Sequence, residues 1–186
     1  MTGKALRFTF KRSRWQPGMA YAIPLSDSTF CFAQAIASAM LNVIDIAIFA
    51  HRTESLPGAP PALDRNEVIA LGGTWRQHLN RGQWAALGVC PPLIEADDFP
   101  NQRLLKSGTT VGIKNSDAGL WEKLLEAWYG LQPWNVMFDE NYFDRQLAPG
   151  VTRPLSAVVL SPIDRESFRA DMAAKQALNE RVTRSD

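Results

Sequence analysis

Trp15-Gln-Pro-Gly-Met-Ala-Tyr-Ala-Ile-Pro-Leu-Ser-Asp-Ser-Thr-Phe-Cys-Phe-Ala-Gln-Ala-Ile36 is the stretch from which the fold follows. Past the turn signal Pro17-Gly18, Met19, Tyr21, Ile23 and Leu25 recur with a period of two, which places them on one face of a strand. Ser26-Asp27-Ser28 are short polar residues suited to a tight connection. The returning strand, Thr29 to about Ala37, is apolar on both faces except at Gln34. Two such runs across so short a turn predict an antiparallel hairpin.

Working outward, Leu6, Phe8 and Phe10 alternate with Arg7, Thr9 and Lys11, which predicts a strand ahead of the hairpin. Val43 to Phe49, rich in β-branched residues, extends it on the other side, so four consecutive strands imply an antiparallel meander. Ser55 to Pro61 is expected to be a loop, because its three prolines lack N–H donors. Glu67 to Leu71 is a short apolar run of open type, and Gly72-Gly73 reads as a turn that breaks it. Trp84 to Val89 reads as a further strand, ended by Pro91-Pro92.

Asp117 stands where an N-cap belongs, and Leu120, Trp121, Leu124, Leu125 and Trp128 fall on one helical stripe that closes at Gly130. Leu155 to Leu160 reads as a compact strand. Ser161-Pro162 with Asp164 opens a last helix, whose only large anchors are Phe168, Met172, Leu178 and Val182, so a frayed tail is expected from about residue 179. The expectation is one domain over 1–186 with an α+β fold. Its bent N-terminal antiparallel sheet curves toward an SH3-like partial barrel, and the Asp117 to Tyr129 helix and the last helix pack against it.

Composition narrows the function. The chain has 20 Lys plus Arg against 19 Asp plus Glu, a formal charge of +1, so no global field points to nucleic acid. Met1 to Lys11 carries no apolar leader segment, and Val43 to Ala50, interrupted by Asp45, is far shorter than the roughly 20 residues a bilayer needs, so a cytoplasmic protein is expected.

No residue pattern supplies a catalytic or cofactor motif. His51 and His78 lack a ligand-type partner at helical spacing and read as structural or solvated. Cys31 and Cys90 sit in apolar settings that raise a thiol pKa and read as inert. Gly72-Gly73 has neither phosphate-loop spacing, and the adjacent carboxylates of Asp97-Asp98 and Asp139-Glu140 point in different directions. No metal, cofactor or catalysis is therefore expected. Trp84, Trp121 and Trp128 read as core, while Trp15, Trp75 and Trp134 lie in polar or turn-rich contexts that suit contact aromatics.

Trp15 to Ile36 resembles the opening of the immunity protein 26 family of bacterial polymorphic toxin systems, in which a Gly-led strand ends in Ile-Pro-Leu and an aromatic strand returns after a polar turn. Leu79-Asn-Arg-Gly-Gln-Trp84, continuing through Leu87-Gly88 and Pro92 to Pro100, is similar to that family's Gly-x-Trp strand and later proline. Together the two stretches, residues 15–36 and 79–100, cover about a quarter of the chain. The sequence departs from the pattern at Ser28, in place of an expected turn glycine, and in a long extension after Leu160.

The resemblance implies a cytosolic antidote that binds and neutralises a cognate toxin encoded by a neighbouring gene, with no chemistry of its own. Two other classes stand beside it: a small hydrolase or nuclease using scattered carboxylates with His51 or His78, and a nucleic-acid-binding module on the barrel. For a partner surface, Trp134-Asn-Val-Met-Phe-Asp-Glu-Asn-Tyr-Phe-Asp144 combines aromatic anchors with acids. Trp134, Asp139, Glu140, Tyr142 and Asp144 are the expected contacts, with Phe138 and Phe143 turned inward.

Overall fold

The structure is a computed structural model that describes residues 9–99 and 117–183. An antiparallel sheet of five strands forms its centre: β1 Met19–Pro24, β2 Phe30–Met40, β3 Val43–Thr53, β4 Val68–Trp75 and β5 Ala85–Val89. Its order is β4-β3-β2-β1-β5, so four strands meander and the fifth returns beside the first. The helices are α1 Arg76–Asn80, α2 Ala118–Trp128 and α3 Pro162–Thr183. The α+β class follows the sequence. Among the described residues, β4 and β5 are the end strands of that order.

Both sheet faces are buried, and the two periods explain how. Tyr21, Ile23, Cys31, Ala33, Ile44, Ile46 and Ile48 point to one face, where Trp121, Leu124 and Leu125 of α2 join Trp84, Trp134 and Phe143 in one cluster. Phe30, Phe32, Ile36, Ala47 and Phe49 point to the other, under Ile94 and Phe99. Gln34, the polar exception in β2, is fully buried yet satisfied: its Nε2 donates to Pro91 O at 3.1 Å and its Oε1 accepts from Leu93 N at 3.0 Å. A buried amide needs such partners, and here they fasten the covering segment to the sheet.

The hairpin at the start of the sheet forms as its sequence directs. Ile23 pairs with Cys31 and Tyr21 with Ala33. In its turn, Asp27 Oδ1 accepts from Thr29 N at 3.1 Å and from Thr29 Oγ1 at 2.7 Å. Ser26 donates from N and Oγ to the Glu126 carboxylate of α2 at 2.6 and 2.7 Å, so the tip is docked on the helix.

Three local expectations are corrected. Gly72-Gly73 does not break the apolar run: both lie inside β4, paired with Ile46 and Asp45 of β3. A Cβ on Gly72 would come within 2.8 Å of the Trp121 ring, so the missing side chain admits the tryptophan rather than turning the chain. Leu155 to Leu160 forms no strand, because its groups are engaged by a loop: Trp134 N donates to Val158 O at 2.7 Å, and the Asn135 amide bonds Leu160 N and O at 3.0 and 2.9 Å. Residues 9–11 of the first expected strand lie outside the sheet, with Phe10 N bonded to Gly82 O; Leu6 to Phe8 and Pro100 lie outside the described residues.

Candidate protein-binding site

The segment from Pro133 to Gly150 follows α2 and carries no long element, so its shape is set by side chains and packing. Trp134, Phe143 and Gln146 are buried, which anchors the segment to the inner core. Phe138 is 71% exposed. Aromatic rings then run inward in file: Phe138 to Tyr142 at 5.2 Å between centroids, Tyr142 to Phe143 at 5.8 Å, Phe143 to Trp134 at 5.6 Å and Trp134 to Trp128 at 6.4 Å. Each tilted or edge-on contact favours one ring orientation, so the outermost ring rests on a rigid stack.

Two arginines fix the backbone beneath it. Arg165, in the first turns of α3, donates from Nη2 to Met137 O at 2.7 Å and from Nε to Asn135 O. Arg145 pairs with Asp139, whose other oxygen accepts from Asn141 N at 2.9 Å. These two contacts, the arginine first, hold the Asp139 carboxyl below the ordinary carboxylate range. Glu140 is exposed and Asp144 half-buried. Beside Phe138, Val136, Met137, Phe168 and Met172 line a groove of about 530 Å³ rimmed by Lys123 and Arg169.

Sequence and structure differ here at two positions. Trp134 is fully buried and cannot touch a partner; Phe138, expected inside, is the exposed ring. The exchange has a packing cause. Trp134 follows Pro133 a few residues after α2 and packs between Trp128 and Phe143, while Phe138 lies where the chain doubles back, Tyr142 N bonding Asp139 O at 3.1 Å. Tyr142 stays half-buried between the layers. Arg145 and Arg165 carry no sequence signal, since six residues separate Asp139 from Arg145 and Arg165 reaches carbonyls on another segment.

The other flagged residues sit elsewhere. His51 Nδ1 lies 3.1 Å from Glu67 Oε1 and its ring 5.4 Å from Phe32. His78 Nδ1 accepts from Ala118 N at 3.1 Å, which caps α2 alongside Asp117. Cys31 is buried, and burial pushes its thiol up to about 12; Cys90 is a free, half-buried thiol against Gln34. Asp98 pairs with Arg65 at 2.8 Å. Trp15 is half-buried and Trp75 is 44% exposed. Among the described residues, no group of three metal-ligand side chains converges and no helix is long and apolar enough to cross a membrane. No known protein family, curated protein or solved structure matches the chain.

Proposed function

We propose that the protein acts by binding another protein and blocking it, as a cytosolic immunity protein that neutralises a bacterial toxin encoded beside it. The reading of the chain as an antidote rests on the residues of Trp15 to Ile36 and Leu79 to Pro100. The observation that carries a protein-binding role is Phe138, a large apolar ring held in solvent at the end of a rigid aromatic file, with Glu140 and the Asp139–Arg145 pair at its edge. An exposed anchor on a preorganised base, rimmed by charge, is the arrangement that binding hot spots use, because little conformational freedom is lost on association. Tyr142 supports the ring, and Glu140 and Asp144 offer carboxylates to basic groups of the toxin. Asp139 shapes the loop instead, since Arg145 already engages it.

The test is co-expression with the toxin domain encoded by the adjacent gene, read by co-purification and by rescue of growth. Phe138→Asp is expected to weaken binding by about 2 kcal/mol or more, roughly thirtyfold, with thermal unfolding unchanged because the ring is exposed. Glu140→Lys is expected to lower affinity less and to make it less sensitive to salt. A folded Phe138→Asp protein that rescues growth as wild type does would exclude this surface. Absence of any complex with the adjacent gene product would exclude the antidote role itself.

A further inference from the structure

At the opposite end of α2 from the docked hairpin tip, the segment from Phe10 to Trp15 runs as a strap beside α1 and the turn after it. Phe10 N bonds Gly82 O at 2.9 Å and Trp15 N bonds Asn80 Oδ1 at 2.9 Å. Gly82 holds φ at 74°, and a Cβ there would lie 2.2 Å from Phe10 O, so the close approach of strap and turn requires glycine. Between them Arg14, Trp15, Arg76 and Asn80 line a cleft of about 440 Å³.

The walls are positioned. Arg76 donates from Nη2 to Asn42 Oδ1 at 2.6 Å and from N to Asn42 O at 2.8 Å, so the turn between β2 and β3 fastens it. Asn80 spends its acceptor on Trp15, which leaves Nδ2 as its donor in the cleft that it lines with the two arginines. Lys11 and Arg12 on the strap and Arg81 on the turn add charge nearby. None of these five cations forms an ion pair with a described residue. At the turn between β2 and β3, Met40 and Leu41 are 51% and 80% exposed, and Trp75, paired with Val43, is 44% exposed.

With the Asn80 acceptor taken by Trp15 and one Arg76 donor by Asn42, the side-chain groups left to the cleft are donors, which calls for a ligand that accepts, and a guanidinium matches a carboxylate. We propose that this cleft binds an acidic segment of a partner protein, seating one Asp or Glu carboxylate between Arg14 and Arg76 with Asn80 Nδ2 as third donor. The exposed Met40, Leu41 and Trp75 supply apolar contact beside the charge, which suits a protein surface better than a free anion. A nucleic-acid strand fits less well: the chain's net charge is only +1, and Trp15 packs against the inner core instead of offering a stacking platform. The site is separate from the Phe138 surface and stands or falls without it.

The test titrates the whole protein with a fluorescent peptide carrying Leu-Glu-Glu-Leu in a Gly/Ser background, with oligothymidylate and inorganic phosphate as comparators. Wild type is expected to bind the peptide at low salt, and Arg14→Ala with Arg76→Ala to weaken it about tenfold or more. Asn80→Asp keeps the acceptor for Trp15 but places a carboxylate in the cleft, and is expected to weaken the peptide similarly. The charge-matched pair Arg65→Ala with Arg153→Ala, remote from the cleft, should leave binding unchanged. No capture by wild type, equal loss in the remote pair, or tighter binding of oligothymidylate or phosphate than of peptide would each overturn the proposal.

Discussion

Ser28 holds φ at 71° in the β1–β2 turn, a left-handed conformation that a side chain makes costly. Ser28→Gly removes that cost but adds freedom to the unfolded chain, so a net gain of roughly 0.5–1 kcal/mol is expected, read as a higher midpoint in urea. The family resemblance of Trp15 to Ile36 implied a glycine at this position. Asn42 has a similar φ of 69°, but its side chain also fastens Arg76, so glycine there would lose a contact. Glu122 is the other residue with a legible cost. Burial raises its carboxyl above the ordinary 4.5, against the opposing hydrogen bond from Trp84 Nε1, with Asp117 and Glu126 adding to the rise. Its folded state favours the proton, so stability is lost as pH rises from the unfolded value through the folded one. Glu122→Gln, which keeps an acceptor for Trp84, should therefore be more stable than wild type at pH 7, and the difference should vanish below about pH 4. A gain that persists at low pH would point to packing instead.

At the scale of elements, α2 and β4 fit each other through one missing side chain. Gly72 lies flush beneath Trp121, so Gly72→Ala should overpack the inner core and cost about 1–3 kcal/mol, measured by denaturant unfolding. Trp121→Phe in the same chain should recover part of it, a coupling that backbone strain would not produce. The hairpin, β3 and α2 were legible because the period of two, the period of 3.6 and the Asp117 cap are local signals. β4 was not, because a strand that receives a large ring from a helix looks, in one dimension, like an interrupted one. The stretch Leu155 to Leu160 misled for the converse reason: its composition suits a strand, but Trp134 and Asn135 engage its backbone from a loop. In the candidate site the segment itself was legible from its aromatic and acidic residues. Which rings turned inward was not, because that depends on the space left between Trp128 and Phe143.

At the scale of the whole molecule, both faces of the sheet are covered among the described residues: α2 packs on one side and the segment around Ile94 and Phe99 on the other. The proposed partners would therefore meet loops, edges and helix surfaces, where Phe138 and the Arg14–Arg76 cleft both lie, and changes there leave the core intact. The strand order carries a kinetic consequence as well. β1 through β4 pair with sequence neighbours, whereas among the described residues β5 pairs only with β1, Met19 opposite Val89, across most of the meander. Chain-closure entropy makes that contact late to form, and a five-residue edge strand is easily released. Amide hydrogen exchange should therefore find β5 opening first, at a free energy below that of β2 and β3, so that loss of the strand from the sheet precedes global unfolding.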